Sequence, residues 1–178
     1  MKFEVLGPYE VPIKSILKID HVSDLRKSIQ EDAQCSDLLS SCGCYVFGVK
    51  SSGAKTVMPW YVGKAERQTV LNEATNPTHL QLFNEILDEY KRGTPTWFFL
   101  PALTPEGRAR KPTTGKGGIK EIDFLEDWLI AQALKRNPNL WNIRKTKMLR
   151  DLTVRGLFNP KQGDMNDEAA ALKACLGV

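Results

Sequence analysis

An α/β (α+β) fold is the architecture the sequence predicts: a small central antiparallel three-stranded sheet flanked by helices, with an N-terminal extension. Three observations lead to it. Two short apolar runs, Gly43-Cys44-Tyr45-Val46-Phe47 and Pro59-Trp60-Tyr61-Val62-Gly63-Lys64, flank a connection from Gly48 to Thr56 rich in Gly, Ser and Lys. Their β-branched and aromatic content, bounded by turn formers, reads as an antiparallel hairpin. Thr96-Trp97-Phe98-Phe99-Leu100 is the most strand-like run in the chain, is expected beside the hairpin, and meets its expected end at Pro101. Helical patterns fill the intervals, so strand, strand, helix, helix, strand, helix describes a sheet packed against helices.

Residues 2–6 alternate and read as a short strand stopped by Gly7-Pro8, while Ser23-Asp24 is expected to start a helix running to about Gln34, with Leu25 and Ile29 on one side. Residues 1–42 carry no recognisable chemistry and are expected to pack on the hairpin as an extension. Within the hairpin, strand alternation puts Cys44 and Val46 opposite Tyr45 and Phe47, and Trp60 and Val62 opposite Tyr61. Two tyrosines on neighbouring strands then share one face, with Lys64 at the strand exit. Lys64 to Ala74 is expected to be helical up to the break at Asn76-Pro77. Thr78 is expected to cap a second helix bearing Leu82, Phe83, Ile86, Leu87 and Tyr90, which Lys91-Arg92-Gly93 stops. Residues 104–118 read as a flexible basic loop, because Thr114-Gly115-Lys116-Gly117 lacks the Ser or Thr a phosphate loop needs after Gly-Lys. Ile119 to Arg136 is the strongest helix, ended by Asn137-Pro138-Asn139, and a short helix from Ile143 to Arg150 follows. The domain is therefore expected to span 43–150, with 151–178 a helical tail begun by Asp164 or Asn166.

Composition narrows the function classes. At 178 residues the chain suits one domain with a real core. Met1 to Lys14 contains Glu4, Pro8, Glu10 and Pro12 and forms no signal-peptide core, so the expected location is the cytoplasm. The four cysteines, with only His21 and His79 as partners, show neither a disulfide framework nor zinc spacing. A net charge of +4 is modest, but it is segregated. Arg108, Arg110, Lys111, Lys116 and Lys120 occur without an acid between them, and so do Arg144, Lys145 and Lys147. That pattern suits a polyanion: DNA, with RNA as an alternative partner, or else a merely solvated surface.

Glu126 is the most informative residue outside the hairpin. At about 100° per residue, with Ile122 at zero, Leu129, Ala133 and Ile130 fall within about 80° of it, and Glu126 lands at about 40°. Asp123 and Asp127 lie on the border of this arc. A carboxylate inside an apolar stripe is paired, metal-bound, or favoured by the helix N-terminus and reaching solvent.

Gly-Cys-Tyr followed by Tyr-Val-Gly resembles the signature of the GIY-YIG nucleases, with a longer interval between the tripeptides than is usual there. The resemblance runs from about Gly43 to Ile143 and includes Glu126-x-x-Leu129-Ile130 with Pro138 and Asn142 downstream. It implies a metal-dependent endonuclease that hydrolyses phosphodiester bonds in DNA. Tyr45 or Tyr61 would act as general base, with Lys64 favouring the phenolate. Glu126 would hold one Mg²⁺ (or Mn²⁺). Asn142, or Asn139 in its place, would complete the motif. The family's arginine position falls near Leu71-Asn72, which is not Arg; Arg67 is the only Arg in that predicted helix, and His79 is a further polar candidate. The alternative implied by the displaced arginine is a GIY-YIG-like nucleic-acid-binding module with weakened or lost catalysis.

Overall fold

The structure is a computed structural model that describes residues 1–13, 16–32, 35–89, 93–115, 117–158 and 164–177. The described residues form five strands and six helices: β1 (Lys2–Phe3), β2 (Leu6–Glu10), α1 (Ile19–Glu31), β3 (Gly43–Lys50), β4 (Met58–Ala65), α2 (Val70–Ala74), α3 (Pro77–Glu89), β5 (Thr94–Leu103), α4 (Lys120–Arg136), α5 (Ile143–Asp151) and α6 (Asp167–Leu176). The fold is mixed α/β with an antiparallel sheet ordered β1-β5-β3-β4, and β2 also pairs with β5.

The sheet is larger than the three strands expected, and the reason lies in the first ten residues. Lys2 and Phe3 pair with Leu103 and Ala102, and Leu6, Tyr9 and Glu10 pair with Phe99, Trp97 and Thr96. The first ten residues thus dock on the far side of β5, where they cover an edge that would otherwise be open, while α1 packs over the hairpin through Leu25 and Ile29. The third strand also runs past Pro101. Proline lacks a donor, yet its carbonyl accepts the Glu4 N–H at 3.3 Å, and Ala102 N–H donates to Cys42 O at 2.8 Å. α1 begins earlier than Ser23 and ends at Glu31. The expected α3 stop at Lys91-Arg92 and its Tyr90 lie outside the described residues, as does Gln34.

Register sets the two faces. Tyr45 stands opposite Gly63 and Phe99, and Phe47 opposite Tyr61 and Trp97. On the other face Cys44 is opposite Lys64 and Leu100, and Val46 opposite Val62. The first face is covered by α1, α2 and α3 through Leu25, Ile29, Leu71, Phe83 and Ile86. At its centre the Phe47 and Phe83 rings stack at 4.0 Å between centroids, with Trp97 edge-on to Phe47 at 5.0 Å. The second face is covered by α4, whose Ile122 packs with Cys44 and Leu100 and whose Ile130 and Ala133 pack with Val62. Cys35, Cys42 and Cys44 are all buried.

One alternation expectation fails. Trp60 packs in the same cluster as Tyr61 because the pairing shifts between Phe47 and Gly48. An extra residue in β4 at this bulge turns consecutive side chains to one side.

The chain from 137 to 142 lies along the outer edge of β4. Asn137 donates to Pro59 O at 2.8 Å and Trp141 N–H donates to Trp60 O at 2.9 Å. The Asn142 side chain accepts from Val62 N at 2.9 Å and donates to Val62 O at 2.6 Å. An amide side chain thereby stands in for a neighbouring strand. Changing Asn142 to Ala leaves a buried N–H and C=O unmatched and is expected to cost about 2–4 kcal/mol in urea denaturation. Exposed Asn139, changed to Ala, is the control and is expected to stay within about 0.5 kcal/mol. Equal midpoints for the two variants would show that Asn142 braces nothing.

The tail contributes little to the sheet. Asn166 caps α6 by accepting from Ala169 N at 3.0 Å, and Ala169 is the buried residue of that helix.

Candidate functional site

Gly63 governs where the phenols go. A Cβ at this position would run into the Tyr45 ring and hydroxyl, so the ring lies directly across β4 only because nothing projects there. Gly63→Ala is expected to displace the ring and cost about 1–3 kcal/mol, read by thermal denaturation. A crystal structure of the variant with Tyr45 unmoved would refute the explanation.

The Tyr45 hydroxyl reaches His79 Nε2 at 3.1 Å, and the Tyr61 hydroxyl approaches the same nitrogen at 3.4 Å. His79 is held from two sides. Asn76 Oδ1 accepts its backbone N–H at 2.9 Å, so Asn76-Pro77, read in the sequence as a break, is a cap and first residue of α3. Its Nδ1 is 2.8 Å from the Glu73 carbonyl oxygen. A carbonyl only accepts, so this network assigns the proton to Nδ1 and leaves the Nε2 lone pair facing both phenols. His79 is thus part of the constellation.

Burial raises the Tyr45 phenol well above its usual value, helped by the charges of Tyr61 and Glu73. Burial also raises Tyr61, and the Glu126 charge is the next cause. This reverses the expected electrostatics, in which Lys64 favours a phenolate. Lys64 pairs with Cys44 in the sheet and so leaves by the other face. There its ammonium bonds Asp123 and lies 2.9 Å from Glu66. Burial lowers this ammonium, but the bonds to the two carboxylates outweigh it and the net shift is upward.

Glu126 is where the helical wheel put it, on the buried stripe with Ile122, Ile130 and Ala133 and only 8% exposed. Burial holds its carboxyl above the usual range despite the Lys145 charge beside it. Its Oε2 is 2.8 Å from Lys145 Nζ, and that ammonium also reaches Asp127 at 2.8 Å and Asp123 at 3.3 Å. Asp123, bonded first by Lys64 and then by Lys145, titrates below the usual range. The result is two polar clusters separated by one strand: phenols and imidazole over one face of β4, and the Lys64–Asp123–Lys145–Glu126 network on the other. They sense each other through the Glu126 charge on Tyr61.

The expected divalent ion does not fit the donor set as it stands. Among the described residues no group of three or more His, Cys, Asp or Glu is arranged to hold a metal, and an ammonium occupies the oxygen of Glu126 that would take one.

Other predicted residues are placed as follows. Arg67 is exposed in the bend between β4 and α2, because pairing of Lys64 and Ala65 with Cys44 and Gly43 extends the strand and delays the helix to Val70. Asn142 is engaged by the edge of β4, and Asn139 is exposed. Arg108, Arg110 and Lys111 are exposed on the 104–119 loop, and Lys120 is exposed at the start of α4. That loop is tied down at several points: Cys42 N–H donates to Arg110 O at 2.9 Å, Thr113 N–H to Glu66 O at 2.8 Å, and Ile119 N–H to the Glu66 carboxylate. Its base therefore lies beside Lys64. Lys147 is exposed, and Lys145 is committed to carboxylates and not to a free surface. Lys116 and the Arg144 side chain lie outside the described residues. Sequence reasoning missed Arg26, which donates to Asn72 Oδ1 at 2.7 Å and Thr75 Oγ1 at 3.2 Å and so ties α1 to α2. No motif marks it.

Several groups here titrate in one direction. The Tyr45 and Tyr61 phenols and the Lys64 and Lys145 ammoniums all have folded pKa values raised above their unfolded ones. Each contributes stability that is present below its unfolded value and is lost as pH rises toward the folded one. Stability is therefore expected to fall above the ordinary tyrosine value of 10.0, with tyrosinate absorbance from Tyr45 and Tyr61 appearing together with unfolding. Tyrosinate absorbance from both that precedes loss of the helical circular dichroism would contradict the burial argument.

Comparison with protein-family models, with curated proteins and with solved structures finds no match for this chain. No helix among the described residues is long and apolar enough to cross a membrane.

Proposed function

We propose that this chain hydrolyses phosphodiester bonds in nucleic acid, with DNA as substrate, in the manner of the GIY-YIG nucleases. The observation that carries the reading is the pair of phenols on neighbouring strands sharing the unprotonated nitrogen of one imidazole. Such a group moves a proton without forming a free phenolate, which burial makes costly here. Water gives a proton to the half-buried Tyr61 oxygen as the phenolic proton passes to His79 Nε2, while the fully buried Tyr45 fixes the imidazole. The hydroxide attacks phosphorus, the bond to the leaving oxygen breaks, that oxygen takes a proton from solvent, and His79 returns its extra proton to solvent. The exposed Arg108, Arg110 and Lys111 of the basic loop supply charge along the backbone of the nucleic acid.

One observation favours a second reading, a binding module without catalysis: Glu126 is bonded to Lys145, and Arg67 is exposed in the bend after β4. Nicking of supercoiled plasmid by the wild type and its loss in Tyr61→Phe is the result expected of the nuclease. Equal rates for the two proteins remove the catalytic claim. Steeply salt-dependent DNA binding with no nicking by either protein leaves the second reading standing.

A further inference from the structure

The resemblance expects a divalent cation on Glu126, and the chain has a cation there of its own. Lys145 Nζ lies 2.8 Å from Glu126 Oε2, 2.8 Å from Asp127 Oδ1 and 3.3 Å from Asp123 Oδ1. An ammonium has three hydrogens, and here three carboxylates meet it. Its position is fixed by the fold and not by a wandering side chain. α5 starts at Asn142, whose amide is bonded to both backbone groups of Val62, and Lys145 lies in the first turn of that helix. Near the other end of α5, Arg150 donates to Leu140 O at 2.8 Å and Pro138 O at 3.3 Å. The lysine is therefore held against α4 by the same contacts that seal the edge of β4.

We infer that Lys145 is the resident counter-ion of Glu126, standing where the resemblance would put Mg²⁺, so that the site works without a divalent metal. A metal ion bound to this oxygen sits at about 2.0–2.1 Å and holds its remaining ligands in a near-octahedral shell. The ammonium fills that space and must leave before an ion enters. With Lys64 bonded to the shared Asp123, the two ammoniums and their carboxylates form one network on the face of β4 opposite the phenols. That cleavage proceeds without a divalent metal rests on the proposed function; the identity of the cation does not.

Mn²⁺ binding to the full chain, followed by electron paramagnetic resonance, tests this directly. The wild type is expected to leave Mn²⁺ in its free aqueous form. Lys145→Met keeps the stem and removes the charge, and is expected to bind Mn²⁺ on the order of tenfold more tightly, the scale of one neighbouring charge at a partly exposed site. Adding Glu126→Gln to that variant is expected to abolish the gain. A Mn²⁺ ion bound by the wild type and lost in Glu126→Gln overturns the inference, as does a folded Lys145→Met that binds no better than wild type. Plasmid cleavage in the presence of EDTA agrees with it, and cleavage that needs an added divalent ion and is lost in Glu126→Gln overturns it. If no nucleic acid is cut under any condition, the nuclease reading fails, and the resonance experiment still decides which cation Glu126 holds.

Discussion

Changing His79 to Ala is expected to reduce the single-turnover rate of DNA cleavage by about 10²–10⁴-fold, the usual worth of a positioned general base. Both phenolic oxygens lie within reach of its Nε2, whose lone pair takes one proton, and no other unprotonated nitrogen is placed to do so among the described contacts of Tyr45 and Tyr61. The Nδ1 bond to the Glu73 carbonyl keeps the imidazole in the accepting tautomer, so His79→Gln, which cannot reproduce both contacts on one ring, is expected to fall nearly as far. DNA affinity is expected to be unchanged in both variants, since His79 is half-buried in the first turn of α3 and outside the basic loop. Circular dichroism separates lost chemistry from lost fold. A folded His79→Ala that cuts within about threefold of wild type would assign the imidazole a purely structural role.

The largest effect on stability is expected for Phe47→Ala, at about 3–5 kcal/mol for the cavity left in a packed core. The ring is fully buried, stacked on Phe83 from α3 and met edge-on by Trp97 from β5, so three elements lose their common contact. Aromatic pairing adds about 0.5–1.5 kcal/mol beyond area. Phe47 is also the cross-strand partner of Tyr61, so the variant is expected to loosen that phenol and lower activity even where it remains folded. Phe124→Ala on α4 is the control. That ring is 71% exposed, and the change is expected to stay within about 0.5 kcal/mol. A Phe47→Ala midpoint in urea close to that of Phe124→Ala would mean the aromatic stack is not what holds α3 to the sheet.

The hairpin, the third strand and the strong α4 helix were legible because each carries its own period and its own boundaries. The buried position of Glu126 was legible for the same reason: residue spacing on a helix fixes which face a side chain takes, whatever the helix packs against. Less local facts were not. Residues 1–10 join β5 through backbone bonds that leave no mark beyond a weak alternation, so the sheet gained strands. The extension of β4 through Ala65 overrode a helix-favouring stretch, because pairing with Gly43 and Cys44 outweighs intrinsic propensity. The bulge at Gly48 moved Trp60 to the face of Tyr61, since an unpaired residue interrupts the two-residue period.

The same division runs through the candidate site. By itself the chain's order of residues determined that Tyr45 and Tyr61 share a face and that an acid lies in the apolar stripe of α4. Only the folded molecule decided that His79 joins the phenols, that Lys64 leaves by the opposite face, and that Lys145 takes the acid. Side-chain direction follows from local geometry, whereas the partner of a charge depends on which distant segment the packing brings within a few ångströms of it.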